Sequence, residues 1–139
     1  MTTRRILVVD DDVNATRMIK LALERTGHYK VRELNDPIQA LWVAREFKPD
    51  LVLMDVCMPG KEGMELAFQL RGDEDFQAIP IVFLTSLISE QEALGNTVTG
   101  GGFHFIAKPT RLNRVITCIE RSLETAQDAK QRVSEEVFS

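Results

Sequence analysis

Residues 49–60 of the chain read Pro-Asp-Leu-Val-Leu-Met-Asp-Val-Cys-Met-Pro-Gly. The apolar run at 51–54 is bounded by turn residues and is too short for a helix, so it predicts a strand buried on both faces. Asp55 then closes this strand with a carboxylate, which is costly to bury without a partner. The pattern therefore predicts that Asp55 lies at a wet edge of a sheet or faces a positive group.

Three further apolar runs end in polar residues in the same way. They are 6–9 before Asp10 and Asp11, 81–84 before Thr85, and Phe103–Ala107 before Lys108. In an open parallel α/β sheet the carboxyl ends of the strands share one edge, and ligands bind in the crevice there. We therefore expect three carboxylates, a hydroxyl and an ammonium group to meet in one small site.

The segments after the first apolar run alternate between helical and extended patterns. Apolar or small residues at helical spacing predict a helix over 14–26 that stops at Gly27. A weaker strand is predicted over 29–34. Asp36 is then the expected N-cap of a second helix, with its buried side formed by Ile38, Leu41 and Trp42.

The remaining helices are predicted from spacing and from capping signals. One is expected around 62–70, one from the capping box at 89–92, and one from Thr110 or Arg111 onwards. Five strands that alternate with five helices predict a doubly wound parallel α/β sheet in one domain.

Length and composition narrow the class of protein. A chain of 139 residues is long enough for one core, and a hydrophobic content of 44% excludes disordered and fibrous classes. The net charge of -4 argues against a general nucleic-acid-binding surface. We find no run of transmembrane length and no signal-peptide pattern. Cys57 and Cys118 lack metal-ligand or redox spacing, which fits a reducing cytoplasm.

The residue types at the strand ends favour phosphoryl chemistry. Two adjacent carboxylates and a third nearby cannot all be ionised in close contact without a counter-charge, and Mg²⁺ is a hard cation that takes oxygen ligands. Aspartate is a known covalent phosphoryl acceptor. Lys108 would clamp a phosphoryl group opposite the metal, and Thr85 would donate a hydroxyl to it. The pattern predicts an aspartyl-phosphate site.

Taken together, these motifs resemble the response-regulator receiver domain of two-component signalling. The matching segments are 9–11, 53–63, 79–85 and 105–109. The resemblance covers nearly the whole chain, and the combination in this order is highly specific although each piece alone is weak. It implies a flavodoxin-like strand order, 2-1-3-4-5, in which the first and third strands lie side by side.

The resemblance also implies a metal site. Asp55 would accept the phosphoryl group, and Asp11 and Asp55 would bind Mg²⁺ directly. The Cys57 backbone carbonyl would be a further ligand, and Asp10 would act through water. In the same family Lys108 would contact the phosphoryl group.

A conformational switch and a set of partners follow from the same resemblance. Thr85 and Phe105 would form the switch. The phosphoryl donor would be a phosphohistidine on a histidine kinase or a histidine phosphotransfer protein. The output would be a downstream protein or a fused domain, with no direct contact to nucleic acid or membrane. The module would catalyse only its own phosphorylation and dephosphorylation, so it is not expected to be an enzyme otherwise.

The end of the chain is expected to lie outside this module. We predict a receiver domain over 1–125 and a C-terminal tail over 126–139, either a helical extension or a linker. Apolar or small residues continue near heptad spacing in the tail, which leaves a homodimer possible.

Other interpretations remain open at this stage. Asp11 and Asp12 are residue types that cap helices, and a lysine such as Lys108 is commonly a solvated surface residue. A haloacid-dehalogenase-like phosphatase also uses an aspartate nucleophile with Mg²⁺, but Asn14 stands where its motif has Thr or Val. A third alternative is an interaction scaffold that does not depend on phosphorylation. Nucleotide binding is disfavoured because no glycine-rich phosphate loop follows the first strand.

Overall fold

The computed structural model of the protein describes residues 3–55, 63–85, 103–107 and 111–138. Its strands are β1 (Arg4–Val9), β2 (Tyr29–Leu34), β3 (Leu51–Asp55), β4 (Ile81–Thr85) and β5 (Phe103–Ala107). Its α-helices are α1 (Val13–Arg25), α2 (Ala40–Phe47), α3 (Gly63–Arg71) and α4 (Leu112–Phe138), and a 3-10 helix at Pro37–Gln39 precedes α2. The helix predicted from the capping box at 89–92 lies outside the described residues.

The predicted parallel α/β sheet is confirmed. Its strands lie in the order β2-β1-β3-β4-β5, and every pair of neighbours is parallel. The strands predicted from the apolar runs at 6–9, 51–54 and 81–84 are the three central ones, which are buried throughout those runs. Strands covered on both faces need apolar residues at successive positions, and this is why these runs do not alternate with polar residues.

Two hydrophobic cores cover the two faces of the sheet. Alternate residues of each strand point to opposite faces, so Leu7 and Val9 enter one core while Ile6 and Val8 enter the other. The first core is completed by α2 and α3, which contribute Val43, Ala44, Phe47, Leu66 and Leu70. The second is completed by α1 and α4, which contribute Leu23, Val115 and Ile119. This arrangement is the predicted doubly wound one.

The first helix begins and ends as its sequence predicts. The Asp12 side chain caps α1 by accepting hydrogen bonds from the backbone N–H groups of Asn14 (2.9 Å) and Ala15 (3.3 Å). Gly27 follows the helix with a φ of 81°, a left-handed conformation that costs glycine least. The chain is thereby turned into β2.

The predicted buried face of the second helix is wrong. Asp36 does cap, since its carboxylate accepts from the N–H of Ile38 at 3.1 Å, but the first turn is a 3-10 turn and the α-helix starts only at Ala40. A 3-10 helix has three residues per turn, so it shifts the phase of the residues that follow. Ile38 and Trp42 are consequently exposed at 78% and 63%. Leu41 is partly buried, and the buried face is Ala40, Val43, Ala44 and Phe47.

The C-terminal helix α4 is the longest element, with 27 residues. Val115 and Ile119 anchor it in the second core. Its backbone stays helical from Leu112 to Phe138, so the segment after 125 is helical, while the division into domain and tail stays a prediction. Among the described residues, no helix is both long and apolar enough to cross a membrane.

Truncating one aromatic residue on each face of α2 tests which face is buried. Phe47 is 5% exposed, and we expect Phe47→Ala to lower the free energy of unfolding by about 3–5 kcal/mol because it leaves a cavity in the first core. Trp42→Ala removes a larger side chain from a site that is 63% exposed, so its expected cost is about 0.5 kcal/mol or less. Urea unfolding of both variants measures the difference. Equal losses would contradict the helix phase described here.

Candidate metal centre

The pairing of β1 with β3 brings two aspartates side by side at the carboxyl edge of the sheet. Val9 pairs with Met54, so the next residues along the two strands, Asp10 and Asp55, are neighbours. Asp11 follows Asp10 in the short connection to α1. The three carboxylates that the sequence predicts at strand ends therefore share one edge of the sheet.

The carboxylates of Asp10, Asp11 and Asp55 converge. Each offers an oxygen atom, and the three oxygens lie within 4.8 Å of one another. Their exposure increases stepwise, since Asp10 is 4% exposed, Asp55 is half-buried and Asp11 is exposed. The Asp10 carboxylate is thus held inside the protein, Asp55 is partly accessible, and Asp11 faces the solvent.

Hydrogen bonds to β2 and to the start of α1 hold Asp10 in place. Its backbone N–H donates to the carbonyl of Leu34 at 3.1 Å, and its own carbonyl accepts from Nδ2 of Asn35 at 2.8 Å. Its carboxylate oxygen Oδ1 accepts from the backbone N–H of Asp12 at 3.0 Å. The end of β2 and the start of α1 thereby determine where the Asp10 carboxylate lies.

Sequence reasoning missed Asn35 and its partner Thr16. Two signals were available. Asn35 directly follows β2, in the position where the other strands carry site residues, and Thr16 stands three and seven positions before Ile19 and Leu23, at the spacing of the buried face of α1. Neither signal names a partner, because the two residues are 19 positions apart in the chain.

The other predicted site residues are described in part or not at all. Thr85 ends β4 and pairs with Ala107, the last residue of β5, so its backbone lies at the same edge as Asp55. Phe105 pairs with Phe83, two residues further from that edge. The structure describes only the backbone of Thr85 and Phe105. Cys57 and Lys108 lie outside the described residues.

The donor set of this cluster fits a hard divalent cation. Three carboxylates this close repel one another unless protons or a cation compensate their charge. Oxygen ligands of this kind suit Mg²⁺, which uses few carboxylates and keeps several waters. The exposure of Asp11 and Asp55 leaves room for those waters. The cluster is therefore a candidate magnesium site.

A comparison with protein families agrees with this geometry. The model of the response regulator receiver domain matches residues 6–120 of the chain. The matched range contains all three aspartates, the strands β2 to β5, and β1 from Ile6 onwards.

Curated relatives point to the same family. The DNA-binding response regulator MtrA of Mycobacterium tuberculosis is 32% identical over 125 residues, which are 90% of this chain and 53% of MtrA. The phosphate regulon transcriptional regulatory protein PhoB of Pseudomonas aeruginosa is 38% identical over 109 residues, which are 78% of this chain and 47% of PhoB. The chain thus spans about half the length of these relatives.

Solved structures show the same fold. The chemotaxis response regulator CheY4 of Vibrio cholerae superposes with a TM-score of 0.74 at 25% identity, covering 87% of this chain and 99% of CheY4. The BeF3-activated N-terminal receiver domain of Klebsiella pneumoniae RstA gives a TM-score of 0.71 at 32% identity, covering 86% of this chain and 98% of that domain.

Neutralising one carboxylate is expected to stabilise the protein when no divalent cation is bound. In Asp11→Asn, an exposed residue loses the charge that repels Asp10 and Asp55, so the melting temperature in EDTA at neutral pH should rise by a few degrees. As a control, Asp36→Asn removes a charge at the exposed cap before α2, outside the cluster, so it should not raise the melting temperature at neutral pH. A fall in the stability of Asp11→Asn at neutral pH in EDTA would contradict mutual repulsion.

Proposed function

Because the chain belongs to the response regulator receiver domain family, we propose that Asp55 accepts a phosphoryl group from a phosphohistidine. The observation that carries the proposal is the convergence of three carboxylates at the ends of β1 and β3. Asp55 is the member of this cluster that ends the central strand β3 and is half-buried. It is open to a donor while the strand holds its position.

The transfer requires an oxygen nucleophile with a fixed direction of attack. A carboxylate oxygen of Asp55 would form the new P–O bond while the P–N bond to the histidine breaks, and the leaving imidazole nitrogen would keep the electron pair and take a proton from solvent. The protein contributes mainly position, since phosphoryl transfer depends on alignment and on compensation of charge. The register of β3 against β1 and β4 supplies that position.

We assign the metal ligands from the same cluster. Asp11 and Asp55 would hold Mg²⁺ directly with the Cys57 backbone carbonyl, and Asp10 would act through water. When bound, the cation would offset the charge that develops on the phosphoryl oxygens. Asp10 is the most buried of the three carboxylates, and hydrogen bonds to the end of β2 and to the start of α1 fix its position. Its carboxylate would therefore stay in place when the cation binds.

The remaining roles rest on the family assignment. Lys108, which follows the last residue of β5, would contact the phosphoryl group, and Thr85 and Phe105 would form the switch that reshapes the surface. The backbone positions of Thr85 at the edge and of Phe105 in β5 support this assignment. The family is one of signalling phosphoacceptors, so the phosphatase alternative is set aside.

The proposed partners are a histidine kinase or a histidine phosphotransfer protein in the cytoplasm. MtrA is named as a DNA-binding response regulator, and the 125 residues that match this chain are 53% of MtrA. For this chain we propose a downstream protein or a fused output domain as the receiver of the signal. Direct contact with nucleic acid is not proposed, because the net charge is -4.

Intact-mass spectrometry after incubation with acetyl phosphate and Mg²⁺ tests the phosphoacceptor. We expect the wild-type protein to gain one phosphoryl group and Asp55→Asn to gain none, because the amide oxygen is a far weaker nucleophile than the carboxylate. Asp50→Asn is a matched control, because Asp50 directly precedes β3 at the end opposite to Asp55. The Asp50 carboxylate accepts a hydrogen bond from the N–H of Arg5 at 2.8 Å. Asp50→Asn should be labelled like the wild type.

Metal dependence is checked in the same assay. Adding EDTA to the wild-type protein should slow phosphoryl labelling by about a hundredfold or more, and Asp11→Ala should slow it as much in the presence of Mg²⁺. Both changes remove the charge compensation that phosphoryl transfer needs. Labelling of Asp55→Asn at the wild-type rate would overturn the assignment of the phosphoacceptor.

A further inference from the structure

A chain of hydrogen bonds leads from Asp10 into the interface between β2 and α1. Nδ2 of Asn35 donates to the main-chain carbonyl of Asp10 at 2.8 Å and to Oγ1 of Thr16 at 3.0 Å. Oγ1 of Thr16 in turn lies 3.0 Å from Oε2 of Glu33. The other carboxylate oxygen of Glu33 accepts from Nε of Arg17 at 3.0 Å. The chain thus joins the candidate metal centre to four residues outside it.

The chemistry of each group fixes the direction of these hydrogen bonds. The Asp10 carbonyl can only accept, so the nitrogen of the Asn35 amide must face it. Both hydrogens of this nitrogen are then used, one toward Asp10 and one toward Thr16. Thr16 accepts from Asn35, so its single hydrogen is free for an acceptor, either Oε2 of Glu33 or the Val13 carbonyl at 3.1 Å. Replacing either side chain by an apolar one breaks the chain at that point.

Water cannot easily replace the Thr16 hydroxyl. Thr16 is 0% exposed, so the loss of its hydroxyl would leave Asn35 without the acceptor that orients its amide. An amide that rotates would turn its oxygen toward the Asp10 carbonyl, and two acceptors repel. The Asp10 main chain would then lose the hydrogen bond from Asn35 and keep the one from its own N–H to the Leu34 carbonyl.

We propose that Asn35 and Thr16 are positioning residues for metal binding at the Asp10, Asp11 and Asp55 cluster. They hold the main chain of Asp10 in place, so that its buried carboxylate stands within 4.8 Å of the other two before a cation arrives. Neither residue is a ligand. The inference rests on the proposed metal site. It adds that contacts between α1 and β2, made by residues that do not touch the ion, determine the affinity of the site for the cation.

Binding of Mn²⁺ by the full chain, followed by the EPR signal of the free ion and competed with Mg²⁺, tests the proposal. Thr16→Val keeps the shape of the side chain without its hydroxyl, and we expect it to weaken Mn²⁺ binding by about tenfold, the lower end for groups that orient metal ligands. Thr16→Ser keeps the hydroxyl and should bind within about twofold of wild type. Asn35→Ala should lose as much as Thr16→Val. The double variant should lose no more than Asn35→Ala, because both changes break the same chain.

Glu24→Ala is the matched control for a loss of stability. Glu24 also links α1 to β2, through its Oε2 atom and the backbone N–H of Val31 at 3.1 Å, but near the other end of α1. Glu24→Ala should leave the affinity for Mn²⁺ unchanged even if it lowers the free energy of unfolding. Asn35 is half-buried, so Asn35→Ala still tests the proposal if Thr16→Val does not fold.

Each outcome decides one question. Wild-type affinity in Thr16→Val and Asn35→Ala, with binding lost in Asp11→Asn, would overturn the positioning role and leave the metal site standing. Equal losses in Thr16→Ser and Thr16→Val would also overturn it, since the hydroxyl would not be the cause. Unchanged affinity in Asp11→Asn would remove the metal site itself, and the positioning role with it.

Discussion

The parallel pairing of β1 with β3 is the constraint on which the site depends. Val9 lies opposite Met54, and both are buried in the core formed with α2 and α3. A shift of one residue would turn every side chain of the strand into the opposite core, where its shape would not fit, so close packing in the two cores holds this register. Since the register is fixed by apolar packing, Asp10 and Asp55 must emerge side by side at the strand ends. The packing of the interior therefore determines the arrangement of the charges.

Polar groups are concentrated where the strands stop because the strands themselves exclude them. The runs 6–9 of β1 and 51–54 of β3 are covered on both faces, and no ionised side chain could lie within them without a large cost of desolvation. At the edge, the carboxylates of Asp10, Asp11 and Asp55 keep some access to water but repel one another. Such repulsion lowers the stability of the protein without a cation and would favour the binding of one. At the proposed metal site, stability and function would therefore be opposed.

The sequence carried much of the fold and part of the site. Buried parallel strands appear as short continuous apolar runs, so β1, β3 and β4 could be located without a structure, and with them the residues that end these strands. The orientation of α2 could not, because the 3-10 turn at Pro37–Gln39 changes the phase of the helix and depends on local backbone geometry. The contact between Asn35 and Thr16 could not be predicted from the sequence for another reason. Their contact joins β2 to α1 across 19 residues, and pairings of this kind are fixed by tertiary packing.

The length of α4 has a mechanical consequence. A helix of 27 residues is about 40 Å long, whereas strands of five or six residues span about 17–20 Å, so α4 must project beyond the layer of the sheet. Val115 and Ile119 lie in the second core and Leu123 packs against it, so the helix can pivot as a lever only beyond Leu123. A tilt of about 10° there would carry Phe138 through about 4 Å, given the rise of about 1.5 Å per residue. A small change of the helix angle at the core thus moves the far end of the helix by a distance comparable to the length of a side chain.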